Sequence, residues 1–122
     1  MVLTQQQVFD KVWNYFVVEK HEPATNCGDC YYRTEEGRKC AIGIFIPDEV
    51  YYEDMECCEP RPLVNLLLDM GYDELNGMDD NFLLDLRECH DFSAVYGDFC
   101  LSIKDSLTKL AENYGLQVPI GS

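Results

Sequence analysis

The chain has 122 residues, 47% of them apolar, with eight Tyr, six Phe and one Trp; this is the size and composition of one globular domain and excludes an intrinsically disordered segment. No apolar run approaches the roughly 20 residues of a membrane span, and the N-terminus lacks the basic start and apolar stretch of a secretory signal, so a cytoplasmic protein is expected. The formal net charge of −14, from 23 acids against nine Lys and Arg, argues against direct binding to nucleic acid or to an anionic membrane surface.

Thr4 and Gln7 stand at capping-box spacing, and Val8, Phe9, Val12, Trp13, Phe16 and Val17 follow a helical period. They predict a helix over 5–20, ended by His21-Glu22-Pro23. Residues 23–29 read as a loop. Residues 30–33 and 38–45 read as two strands around the turn Thr34-Glu35-Glu36-Gly37, with Gly37 suited to a positive φ. Pairing Thr34 with Arg38 sets Tyr32 opposite Cys40 and Cys30 opposite Ile42, all four on the core side. Residues 48–59, after Ile46-Pro47, read as one or two irregular helical turns.

Pro62 is placed to open a helix that runs to Met70, with Gly71 as its stop. Leu63, Val64, Leu66, Leu67 and Leu68 cover most of its circumference, which predicts a central position. After an acidic loop over 71–80, a helix over 80–91 turns Phe82, Leu83, Leu86 and Cys89 inward and keeps Asp85, Glu88 and Asp91 on a polar side. A last helix over 98–114 carries Phe99, Ile103, Leu107, Leu110 and Tyr114 at three- and four-residue steps, and Gly115 caps it. With no repeat and no linker, residues 1–122 are expected to form a single α+β domain: an N-terminal helix, one β-hairpin, then three or more helices. Two strands alone are marginal, so the hairpin leans on a helix or pairs with a second chain; the sequence leaves the oligomeric state open, a dimer included.

The charge is unevenly placed. Residues 48–98 hold fifteen of the 23 acids and two bases, Arg61 and Arg87, a net −13, whereas the other 71 residues are close to neutral. A concentrated acidic segment produces a one-sided field that attracts basic surfaces. Asp79, Asp80, Asp85, Glu88 and Asp91 form one candidate row, extended by Asp48, Glu49, Glu53, Asp54 and Glu56. Carboxylates held at fixed positions can substitute for phosphates, as a mimic of duplex DNA requires. The alternative is a pocket for a small molecule or nucleotide, built from Tyr31, Arg33, Arg38 and Lys39 on the hairpin.

The middle of the chain carries a recognisable pattern: Tyr32-Arg33, then Gly37-Arg38-Lys39-Cys40-Ala41-Ile42-Gly43, then Ile46-Pro47-Asp48-Glu49-Val50-Tyr51, then Met55-Glu56. It resembles a group of small proteins encoded in bacterial and phage genomes and covers about a quarter of the chain. The resemblance implies a bacterial or phage setting, with a bacterial cytoplasm as the compartment, and implies no mechanism. It makes a basic surface on a host factor the natural partner for the acidic segment. The same segment offers a ligand-facing corner of Arg33, Lys39, Asp48, Glu49 and Glu56.

Enzymatic signals are weak. The seven Cys are an odd count and are expected to be reduced, mostly as small buried hydrophobes. Cys27-Gly28-Asp29-Cys30 is a CxxC that, with Cys40 and Cys57 or Cys58 and with His21 as a substitute ligand, spaces irregularly for zinc and precedes a strand rather than a helix. No cofactor or metal is therefore expected, although the sequence leaves zinc on Cys27, Cys30 and Cys40 undecided. Cys89 and His90 are adjacent, so their side chains diverge by about 100° on a helix and pair poorly as nucleophile and base. Placing Gly77 at the invariant glycine of a calcium loop puts Tyr72 and Leu83 at ligand positions, which fails. A non-catalytic acidic binding or inhibitor protein is the reading that remains.

Overall fold

The computed structural model describes residues 2–26, 29–34, 36–94 and 98–118, and only the backbone of Asn26, Asp29, Cys30 and Cys57. Helix α1 (Gln5–Trp13) starts as its capping box dictates. The Gln7 N–H donates to Thr4 Oγ1 at 3.1 Å, and the Thr4 N–H donates to Gln7 Oε1 at 2.9 Å. The helix widens into a π-turn over Asn14–Val18, where the Glu19 N–H reaches back to Asn14 O at 2.8 Å. It stops before Pro23 acts, because Lys20 takes a left-handed φ of 58°.

Helices α2 (Pro60–Asp69), α3 (Asp80–Ala94) and α4 (Phe99–Tyr114) follow. Contacts run from α1 to α4, from α4 to α3 and from α3 to α2. Helices α3 and α4 are antiparallel: Asp85 meets the Tyr114 hydroxyl at 2.7 Å near one end, and Ser93 meets the Ser102 hydroxyl at 3.2 Å near the other. Asp98 caps α4, and Gly115, at φ 67°, closes it. Helix α2 opens at Pro60, two residues ahead of the expected start, and Gly71 stops it at φ 95°. It is less central than its leucines suggest: Leu63, Val64 and Leu67 are buried, but Leu68 faces solvent. Phe16 packs edge-on against Phe99, with centroids 5.5 Å apart, and against His90 at 5.7 Å, so the π-turn is keyed to α3 and α4.

The expected hairpin does not form, and the α+β assignment is wrong: among the described residues the fold is almost entirely helical. Its one ladder is two residues long on each side, β1 (Thr25–Asn26) against β2 (Asp29–Cys30), inside the region expected to be a loop. The turn itself closes in the expected register. The Thr34 N–H donates to Arg38 O at 2.9 Å, and the Cys40 N–H to Tyr32 O at 3.1 Å. Pairing then stops at a single bridge, Arg33 with Lys39. Two forces end it. The N–H groups of Tyr32 and Arg33 are taken by the Glu56 carboxylate, so they are lost to a ladder. The chain after Cys40 also winds up: the N–H groups of Ile44, Phe45 and Ile46 bond back to Cys40, Ile42 and Gly43.

Gly43 makes that winding possible. A Cβ at this position would lie 1.8 Å from Tyr32 O, inside contact distance, so only glycine lets the two segments touch. Among the described residues no helix is long and apolar enough to cross a membrane.

Candidate functional site

The segment carrying the Tyr32 to Glu56 pattern folds into a knot in which most of the polar groups pair with one another. Glu56 sits on a 3₁₀ turn, Glu53–Cys57. Its carboxylate accepts from the Tyr32 N–H at 2.7 Å, the Arg33 N–H at 3.0 Å and the Tyr51 hydroxyl at 2.6 Å. Burial, and then the hydrogen bond to Glu56, push the Tyr51 phenol well above its ordinary range. The Arg33 side chain is only 10% exposed. Its Nη1 lies 2.7 Å from Asp48 Oδ1, its Nη2 donates to Ile46 O at 2.7 Å, and its guanidinium lies 5.0 Å from the Tyr51 ring centroid. Arg33 Nε is buried without a hydrogen-bond partner among the described residues.

This packing accounts for the four bases and tyrosines singled out in the sequence. Arg33 and Lys39 converge on Asp48, the latter at 3.6 Å, while Arg38 turns to Glu22 at 2.9 Å. Tyr31 lies elsewhere, lining a hollow with Arg87. Three of the four side chains therefore do not present a free basic pocket. Of the proposed corner, Arg33, Lys39 and Asp48 meet, and Glu56 holds the Arg33 backbone. Glu49 points away, toward the Tyr72 hydroxyl at 3.3 Å.

The ten candidate acids divide into two classes. Six are engaged internally: Asp48, Glu49 and Glu56 as above, Asp80 with Arg61, Asp85 with the Tyr114 hydroxyl, and Asp91 with His90 Nδ1 at 2.8 Å. The other four, Glu53, Asp54, Asp79 and Glu88, are exposed and have no ion pair among the described residues. Burial and the bond to Asp85 push Tyr114 up to about 12. The expected polar side of α3 is thus only partly a free surface.

What the sequence did not single out lies on the same side of α3. Leu84 is 39% exposed and Phe92 55% exposed. They border an open hollow of about 500 Å³ with Arg87, Glu88 and Asp91. A smaller hollow of about 140 Å³ beside it is lined by Tyr31, Tyr32, Glu56, Glu59, Arg87 and Asp91, with Cys40 and Cys58. Arg87 and Asp91 line both, so the two hollows adjoin across these side chains. Among the described lining residues the only base, Arg87, is already paired with Glu59 at 3.1 Å. A readable signal existed: Leu84, Glu88 and Phe92 recur at four-residue steps outside the core stripe.

His90, which the sequence offered only as a poor base for Cys89, has a structural place. It is fully buried, and its Nε2 accepts from the Ala24 N–H at 2.9 Å, so the ring proton sits on Nδ1, facing Asp91. It ties the approach to β1 onto α3.

The Cys40 thiol is buried and accepts from the N–H groups of Ile42 and Gly43, at 3.4 and 3.3 Å; burial pushes it up to about 12. Cys89 is also pushed up to about 12, chiefly by burial. The CxxC is only partly observable, since Cys27 lies outside the described residues and Cys30 is described by its backbone alone. Among the described residues no three His, Cys, Asp or Glu side chains converge on a metal-sized site.

In comparisons with known proteins, no family model, no curated protein and no solved structure matches the chain.

Proposed function

We propose that the protein is a non-catalytic acidic binding protein that docks on a basic surface of another protein, in the setting of a phage-encoded inhibitor of a host nucleic-acid-binding factor. One observation supports this most. The two bases within residues 48–98, Arg61 and Arg87, are consumed by Asp80 and Glu59. Glu53, Asp54, Asp79 and Glu88 are left facing solvent with no ion pair among the described residues. Exposed charges of this kind act through a field screened over about 8 Å at physiological ionic strength. They speed association with a basic surface and select against anionic ligands more than they tighten a final complex.

The test is binding of a lysine-rich peptide to the wild-type chain and to Glu53→Lys/Glu88→Lys, measured by calorimetry in low salt and at about 0.5 M salt. The wild type is expected to bind, to lose most of that affinity in high salt, and to lose it in the double variant. Glu112→Lys, an exposed control outside the acidic segment, is expected to change little. Equal effects of the two sets of reversals, or binding indifferent to salt, would overturn the reading.

A further inference from the structure

The outer face of α3 has a composition that a purely electrostatic surface does not need. Leu84 and Phe92 stand eight residues apart, about 12 Å along the axis, and Glu88 lies midway on the same face. The order along the helix is apolar, acidic, apolar. Beside this stripe, across Asp91 and the Arg87–Glu59 pair, lies the smaller hollow with Glu56 and Tyr31. Four carboxylates line this cleft of two adjoining hollows against one guanidinium, and that guanidinium is engaged.

We infer that this cleft seats a basic amphipathic helix of a partner protein, with apolar side chains packed on Leu84 and Phe92 and a Lys or Arg between them on Glu88. The inference rests on the binding-protein reading above and adds the geometry of the occupant. The complement of an apolar–acidic–apolar stripe is an apolar–basic–apolar stripe of the same pitch. On a helix that means apolar residues at i and i+7 with a base at i+3 or i+4. Further bases on the flank of such a helix would lie over Asp91 and Glu59. The charge also excludes rival occupants. A nucleic acid or an anionic lipid surface would set phosphates against these carboxylates. A second copy of the chain, docked face to face by a two-fold axis, would set Glu88 and Asp91 against their own equivalents. Covering two such apolar side chains supplies the short-range attraction that the free acids alone lack.

The experiment uses two synthetic peptides about sixteen residues long, of identical Leu and Lys content. In one, Leu falls at i and i+7 with Lys between; in the other the order is scrambled. Each is titrated into the full-length chain labelled with ¹⁵N, at low salt. The striped peptide is expected to bind about tenfold more tightly than the scramble, with amide shifts centred on residues 84–92. Leu84→Glu/Phe92→Glu is expected to abolish that preference while both peptides keep their weak, salt-sensitive binding. An unchanged thermal midpoint verifies that this double variant folds. If the two peptides bind the wild type equally well, or the shifts fall on Glu53 and Asp54 instead, the cleft inference is overturned and the acidic-surface reading stands. If neither peptide binds at low salt, both fall. Sedimentation showing a dimer that Phe92→Glu dissociates would also overturn it, since the face would then belong to a second copy.

Discussion

Two charged regions of this molecule use the same residue types to opposite ends. In the knot between Tyr32 and Glu56, the main contacts join groups of the knot to one another: Arg33 to Asp48, Lys39 to Asp48, Glu56 to two backbone N–H groups and a phenol. On the outer face of α3, Glu88 faces solvent between two exposed apolar side chains. Charge density is high in both places. The difference is whether a complementary donor lies within reach. Around Glu56 the chain folds back on itself and supplies three donors; beside Glu88 the base lining the same hollow, Arg87, is bound to Glu59. A carboxylate of the first kind holds the fold together, and one of the second kind is available to a partner.

Substitutions separate the two regions sharply. The largest effect is expected from Gly43→Ala. Its methyl group would fall on Tyr32 O, a backbone atom that cannot swing aside, so the knot must open. A loss of more than about 4 kcal/mol is expected, read from the midpoint of urea unfolding. A shift no larger than an exposed Gly→Ala change gives would show that the two segments are not in contact. Glu56→Ala comes next. It strands the N–H groups of Tyr32 and Arg33 and leaves the Tyr51 hydroxyl only its longer bond to Arg33 O, at a cost of about 3 kcal/mol, whereas Glu88→Ala is expected to stay within about 0.5 kcal/mol. Equal destabilisation by the two would erase the distinction drawn between them.

The smallest effect is a graded response to alkali, to which the knot contributes. The Tyr32 hydroxyl donates to Cys58 O at 2.7 Å. Burial raises Tyr32 from 10.0 to about 12 and Cys40 from 9.0 to about 12. Both groups are held protonated in the folded state beyond their unfolded pKa values. The stability they contribute is therefore complete below about pH 9 and is lost as pH rises from there toward 12. Urea midpoints followed from neutral pH upward should be flat and then fall. In the same samples, Cys40 should resist alkylation at neutral pH while the exposed Cys100 reacts. Rapid labelling of Cys40 in the native chain would mean that the knot is open.

Much of the helical framework was legible because its signals are local. The Thr4–Gln7 box, the apolar steps in α3 and α4, the glycines at 71 and 115 and the Thr34–Arg38 turn each depend on residues within a few positions, and each occurs where the spacing places it. The strand assignment failed for a non-local reason. Tyr32 and Cys40 do face one another and are buried, as the register required. Whether their neighbours go on pairing was settled by a carboxylate more than twenty residues away and by a glycine that lets the backbone close. The candidate acids were legible as a list and illegible as a surface, because Asp80, Asp85 and Asp91 differ from Glu88 only in what stands opposite them.

The sequence alone determined that four helices form and roughly where they lie, which of their faces are mainly apolar, and that the negative charge is gathered in residues 48–98; these follow from periodicity, caps and counting. The tertiary structure alone decided which charges are spent. Hydrogen bonds and ion pairs act over about 3 Å, and only the folded chain brings Arg33 to Asp48, Glu56 to the backbone at Tyr32, and His90 to Ala24 at that distance.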